Sequence, residues 1–426
     1  MMIKIIPVAL FFLSFFASLV SNAWLRLVSK RTNILIDRPD KYRKFHDEPT
    51  PLTGGLGISI GIIFSGIFLL FLTDVSYISE VSTKDFLGNQ QSEKITHTIE
   101  TTNEAQIIIE RISNESYSIV LPDGNKYTYK IDNNNESLLV SSEYINDKIV
   151  ISNFSFGLIF FTLLVQILMI ADDLWNLKAT TRLILQAICV GGLIFVSGVY
   201  IESLGNLMGF GEILLGPFGI PFTIFCVVGM MNAFNMIDGL NGLCASLCLV
   251  CYTAMLYMIN ANSIQSLFPL ILPVGAIVGF LMFNLGILGN QRTVFLGDNG
   301  SNALGFMCAW ILVYFSNIEG SNFAPVTALW LVAIPFIDAV GVMISRALKG
   351  VMPLRPGRDH LHHKLLNLDF SAEIIYSILI LLSGFLAYVG LTLNNFINDN
   401  HYYSFYAFLF ISLCYYFFTR LVQKNV

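Results

Sequence analysis

Charge is what this chain has least of. Asp, Glu, Lys and Arg make up 12% of its 426 residues, about half the share of a soluble domain, while 55% are hydrophobic. That scarcity excludes an ordinary soluble globule and puts most of the chain in lipid. The formal net charge, with 24 Lys and Arg against 29 Asp and Glu, is a poor guide to partners in such a chain, where the placement of the charges matters more; no nucleic-acid partner is expected. Cysteine is missing from the long polar segment 76–151; all seven cysteines lie in apolar runs, which excludes a disulfide framework. Cys248 and Cys251 form a CxxC, but within a span they read as small packing residues. No internal repeat stands out, and nothing is low in complexity beyond Asn133-Asn134-Asn135.

What is present is a rhythm of apolar stretches. Eleven windows are long enough to read as spans: 4–28, 54–73, 153–171, 183–201, 215–233, 242–260, 267–285, 303–318, 324–344, 373–393 and 403–421. The first, with Lys4 ahead of it and Ser21-Asn22-Ala23 within it, has some features of a secretory signal. It reads instead as an uncleaved span, because the apolar run continues to Val28 and a basic loop follows. Lys and Arg cluster in alternate loops (Lys30 to Lys44, Lys178 and Arg182, Arg292, Arg346 to Lys364, Arg420 and Lys424). They are absent from 202–214, 261–266, 319–323 and 394–402. That asymmetry places the N-terminus outside and the C-terminus in the cytoplasm. The expected fold is therefore an all-α polytopic membrane protein of about 11 transmembrane helices with a small β-rich extracytoplasmic insert. The domains are 1–75 (two helices and the first cytoplasmic loop), 76–151 (the insert) and 152–426 (helices 3–11 and the catalytic loops). Within the insert, SYSIVLPDGNKYTYKI alternates apolar and polar residues around Asp123-Gly124 and predicts a β-hairpin; a disordered insert is the alternative.

With this topology every unusual polar cluster falls on the cytoplasmic side. Asp172-Asp173 ends the third span, NAFNMIDGLNG (Asn232–Gly242) follows the fifth, FLGDNGS precedes the eighth and RPGRDHLHH follows the ninth. The first loop adds DRPDKYRKFHDEPTPLTGG. An ordinary polar loop, a capped helix end or an adventitious histidine chelate would explain one of these clusters; five on one face point to a site. The residue types suit phosphoryl transfer. Asp and Asn oxygens hold Mg²⁺, glycines let the backbone approach phosphate oxygens, and Arg358 and the histidines serve as phosphate donors. Two carboxylates at a helix C-terminus oppose its dipole, which argues for a partner cation.

In these residues, over nearly the whole chain except 76–151, the sequence resembles the polyprenyl-phosphate N-acetylhexosamine-1-phosphate transferases. The likeness is to the subgroup acting on UDP-GlcNAc and undecaprenyl phosphate. It rests on Asp172-Asp173, on NxxNxxDGxxGL from Asn232 to Leu243, on GDxGS from Gly297 to Ser301, and on Arg358 with His360, His362 and His363. The resemblance implies a Mg²⁺-dependent phosphotransferase, with Mn²⁺ as a substitute, in the bacterial inner membrane with a cytoplasmic active site. It would move N-acetylhexosamine 1-phosphate, GlcNAc-1-phosphate first, from a UDP-sugar to undecaprenyl phosphate and release UMP, starting a lipid-linked glycan such as O-antigen. By position, Asp298 is the implied metal ligand, with Asp238 and Asn235 as further candidates. Asn235, Asp238 and Asn284 would line the nucleotide-diphosphate site. Asp172 and Asp173 would meet the lipid phosphate, Arg358 and the three histidines the sugar and diphosphate, and Thr50 in TPLTGG would border the cleft. Asn241 stands where the family usually has a second Asp, and Gly357 where it has an acid before the arginine. These departures keep open a weakened relative acting as sensor or scaffold. A transporter of an anionic solute is the other class, although no second copy of the DG or GD segments is present. Expected partners are the UDP-sugar and the polyprenyl phosphate, with a homodimer as the assembly to test.

Overall fold

The computed structural model describes residues 2–39, 48–72, 76–78, 97–100, 106–113, 116–120, 126–131, 137–143, 150–175, 177–258, 264–317, 323–352, 357, 359–396 and 401–424. The chain forms two compact units, Leu70–Asn153 and the remainder. The larger unit is helical, and each of the eleven apolar stretches falls on a helix. These are α1 (Met2–Thr32), α2 (Gly54–Leu72), α3 (Asn153–Trp175), α4 (Ala179–Ser197), α5 (Gly219–Ile237), α6 (Leu243–Met258), α7 (Ile264–Asn284) and α8 (Gly297–Ser316). The series continues with the pair α9 (Pro325–Leu331) and α10 (Ala333–Leu348), then α12 (Ala372–Phe396) and α13 (Tyr402–Lys424); the short α11 (Leu361–Leu366) precedes α12. Among the described residues, six helices are long and apolar enough to cross a membrane. A seventh is added if α9 and α10, bent by 86°, count as one span.

Helix boundaries differ from the apolar windows in a way that matters for the site. The motif NAFN lies inside the last turns of α5, and GDNGS forms the first turns of α8 rather than a loop before it. Nearly every residue of α8 from Gly297 to Val313 is buried, so this helix is enclosed by its neighbours and needs no lipid-facing stripe. Gly305 lets α5 approach closely: a Cβ there would sit 2.9 Å from Met231 Cα. On the opposite flank α1 packs along α7 through small residues. Ser14 Oγ donates to the Leu272 carbonyl (2.6 Å) and Ser18 Oγ to that of Ala276 (2.7 Å), beside the Gly275-xxx-Gly279 step.

The smaller unit contains a five-stranded antiparallel sheet. Its strands, in order across the sheet, are β4 (His97–Glu100), β5 (Gln106–Ser113), β6 (Ser116–Val120), β7 (Lys126–Ile131) and β8 (Ser137–Glu143). β6 and β7 pair with Val120 opposite Lys126; the Asp123-Gly124 turn between them lies outside the described residues. Separately, β3 (Ser76–Ile78) runs parallel to β9 (Val150–Ser152), and in the larger unit β1 (Ile36–Asp37) pairs antiparallel with β2 (Thr50–Pro51).

Candidate active site

Asn232 and Asn235 are three residues apart on α5 and so share one helix face. Asn235 Nδ2 donates to Asp298 Oδ1 (3.1 Å) and to Ser301 Oγ (2.9 Å), joining the NAFNMIDGLNG and GDNGS motifs directly. Asp298 sits in the first turn of α8, where the helix dipole favours a carboxylate. Gly297 before it takes φ 75°, a left-handed value that suits glycine. Asp238 closes α5 and is partly withdrawn from solvent; that burial, and then the charge of Asp298, pushes its carboxyl up to about 8.

The Asp172-Asp173 pair is split in its surroundings. Asp172 accepts from Arg182 Nη1 (3.1 Å) and from the Leu177 N–H (3.0 Å), so Arg182 is the cation that the helix C-terminus calls for. Asp173 lies within electrostatic reach of Asp298, Asp172 and Asp37, and its Oδ2 is buried with no hydrogen-bond partner. Among the described residues no three His, Cys, Asp or Glu side chains converge as a closed metal cage. Mg²⁺ does not require one, because it keeps waters and substrate phosphates in its shell and takes one or two protein carboxylates. Asp298, with Asp238 as its electrostatic neighbour, supplies hard carboxylate oxygens of that number, and Asp173 adds an orphaned buried acceptor within electrostatic reach of Asp298.

Around these acids the backbone is tightly bracketed. The TPLTGG stretch docks on the segment leading into α8: Phe295 N–H donates to the Pro51 carbonyl (2.8 Å), Gly54 N–H to Phe295 (3.0 Å) and Gly55 N–H to Leu296 (3.2 Å). A Cβ on Gly55 would overlap Gly300 Cα, so glycine is what permits this approach. The Thr50 hydroxyl donates to the Glu48 carbonyl (3.0 Å), shaping its own turn. Asn284 is spent on backbone, accepting from Gly242 N–H and donating to the Val294 carbonyl (2.7 Å), which ties the two motif loops together. A chain of buried amides runs from Asn232 through Gln186 to Asn302, with N···O distances of 2.9 and 2.8 Å, and Asn302 ends on the Asp298 carbonyl (2.8 Å).

The histidines form a second group beside the first. His360 Nδ1 meets Asp338 Oδ2 at 2.7 Å. His362 is buried with neither ring nitrogen partnered, and its ring lies 6.0 Å from His360 and 4.1 Å from His363, centroid to centroid. Burial, followed by the neighbouring His363, holds the His362 imidazole down to about 3, so it is neutral at physiological pH. A Cβ on Gly239 would overlap His362 Nε2, which places this ring directly against the DG loop. Arg346 grips Asp359 through Nε (2.8 Å) and Nη2 (2.7 Å), and the Arg346 guanidinium holds the Asp359 carboxyl below its usual range.

The structure thus joins Asn235 to Asp298, leaves Asp238 and Asp173 each within electrostatic reach of Asp298, sets His362 against Gly239, and buries Thr50 and Asn284 as braces. Asn241 is exposed with no side-chain hydrogen bond among the described residues. Arg358 lies outside the described residues. Sequence reasoning missed Asp338, Gln186, Arg346 and Tyr415. The first had a signal, an acid inside an apolar run; Gln186 had a weaker one of the same kind, and Tyr415 had none.

Residues 155–316 match the glycosyl transferase family 4 model. Relatives named undecaprenyl-phosphate alpha-N-acetylglucosaminyl 1-phosphate transferase include one from Yersinia pestis, 36% identical over 223 residues, which is 51% of this chain and 60% of the relative. The Salmonella typhi relative is 36% identical over 225 residues (52% and 60%), and that of Haemophilus influenzae 32% over 227 (52% and 63%). The matched region therefore spans less than two thirds of each of these relatives.

Proposed function

From the match of residues 155–316 to the glycosyl transferase family 4 model, we propose that the protein transfers an N-acetylhexosamine 1-phosphate, GlcNAc-1-phosphate in the first instance, from a UDP-sugar to undecaprenyl phosphate. A phosphate oxygen of the lipid attacks the sugar-bearing phosphorus of the donor. The pyrophosphate P–O bond breaks, UMP leaves, and a lipid-linked diphosphate sugar remains. The site is cytoplasmic in an inner-membrane protein of eleven spans. The observation that carries this reading is the direct Asn235–Asp298 contact, with Asp238 and Asp173 within electrostatic reach of Asp298 and the His362 ring against Gly239.

Asp298, with Asp238 as a second carboxylate, would hold Mg²⁺, which when bound neutralises charge building on the diphosphate. Asn235 orients the Asp298 carboxylate, and Arg182 keeps Asp172 fixed while Asp173 keeps a buried, unpartnered Oδ2. The acceptor phosphate is already largely ionised near neutral pH, so Asp172 and Asp173 act by position more than as bases. The neutral His362 and its neighbours bound the donor side, with Arg358 as their phosphate-binding partner. Asn241 supplies no charge and cannot act as a base, but its exposed amide can still hydrogen-bond the substrate.

Purified protein incubated with undecaprenyl phosphate, Mg²⁺ and a panel of UDP-sugars should release UMP with UDP-N-acetylglucosamine. Asp298→Ala should lower that rate by about 10³-fold or more. UMP release by folded protein that is indifferent to Asp298→Ala would refute the assignment of Asp298, and no release with any donor would refute the reaction.

A further inference from the structure

We infer that Asp338, an acid buried in the bent α9–α10 span, is a positioning residue that fixes both the place and the tautomer of His360. Both carboxylate oxygens are engaged. Oδ2 takes His360 Nδ1 (2.7 Å), while Oδ1 accepts from the Leu361 N–H (3.0 Å) and from the Tyr415 hydroxyl (3.0 Å). Three donors on one acceptor suit an ionised carboxylate, and they offset the cost of burying it. With the carboxylate accepting, the His360 proton resides on Nδ1 and Nε2 is the acceptor end of the ring.

The Leu361 bond makes the placement stricter. Leu361 opens α11, and the preceding His360 makes no side-chain cap of its own, so Asp338 serves as a remote cap for that helix. The ring of His360 and the backbone that carries it are referenced to the same carboxylate. Eight residues further along α10, Arg346 grips Asp359, so residues 359, 360 and 361 are all tied to one helix. Gly357 leaves room for that clamp, since a Cβ there would come 2.6 Å from Arg346 Nη2. The rings of His362 and His363 stack from the one that Asp338 holds. Any hydrogen-bonding side chain would brace this loop; only an acceptor at Oδ2 holds the proton on Nδ1.

The effect on turnover rests on the proposed transfer reaction, whereas the tautomer does not, and the test separates them. Asp338→Asn is isosteric. Its amide oxygen keeps the Leu361 and Tyr415 bonds, while its NH₂ faces His360 and drives the proton to Nε2. In full-length protein in nanodiscs, ¹⁵N-histidine spectra, assigned with His360→Gln, should show His360 protonated on Nδ1 in the wild type and on Nε2 in Asp338→Asn. UMP release should fall about 10²-fold or more, and Asp338→Asn should add nothing in a His360→Ala background. Independent, multiplying losses in the double variant would overturn the inference. So would a wild-type His360 protonated on Nε2, which needs no variant to fold. If no donor yields UMP, the transfer reaction fails, and the tautomers still decide the role of Asp338.

Discussion

Asp172 and Asp238 both stand at helix ends, yet their surroundings set them apart. Arg182 compensates the first, whereas the second is withdrawn from solvent beside the like charge of Asp298. The folded-state pKa of Asp238 (about 8) lies above its unfolded value of 3.8. The folded chain therefore holds a proton here that the unfolded chain releases, and stability falls as pH climbs from about 4 to about 8, levelling off above that. A divalent cation at Asp238 must displace this proton, so its affinity should rise up to about tenfold per pH unit until pH 8. Mg²⁺ should accordingly raise Tm more at pH 8 than at pH 6, and the difference should shrink in Asp238→Asn. Equal Mg²⁺ shifts at both pH values in the wild type would mean that the cation binds elsewhere.

Among elements, the one most exposed to a small change is the α1–α7 pair, because its contacts are backbone and hydroxyl rather than long side chains. A Cβ on Gly279 would lie 2.5 Å from the Phe15 carbonyl and 3.2 Å from Leu19 N. Gly279→Val should therefore part the helices, break the Ser18–Ala276 bond and cost about 1–3 kcal/mol. A thermal melt should show the drop while the Mg²⁺ shift persists; an unchanged Tm would show that α1 can slide without loss. The helices were legible because apolar runs mark themselves, and the acids were legible because lipid makes them conspicuous. The residues that hold those acids were not. Gln186 and Asn302 satisfy each other across α4 and α8, and nothing in either local sequence announces the partner. The bend between α9 and α10 is equally silent, since an apolar window reads the same whether straight or turned by 86°.

For the whole molecule, the separation into two units sets an expectation. Among the described residues the sheet from His97 to Glu143 pairs only with itself, and Tyr77 lies in register with Ile151. Neighbouring strands lie about 5 Å apart, so replacing residues 78–150 by a short Gly-Ser linker should leave membrane insertion and UMP release within about threefold of the intact chain. A large loss of release from well-inserted protein would make the sheet part of catalysis. Asp338 bears on the molecule in a different way. One of its three donors, the Tyr415 hydroxyl, is carried by α13, while the acids it serves alongside are fixed far earlier in the chain. During synthesis the loops that carry Asp238 and Asp298 are therefore made well before the histidine stack receives its last brace. If the proposed transfer holds, a ribosome-bound chain that has not yet threaded its final helix would carry the acids without the brace that Tyr415 gives Asp338, and should turn over more slowly than the finished chain.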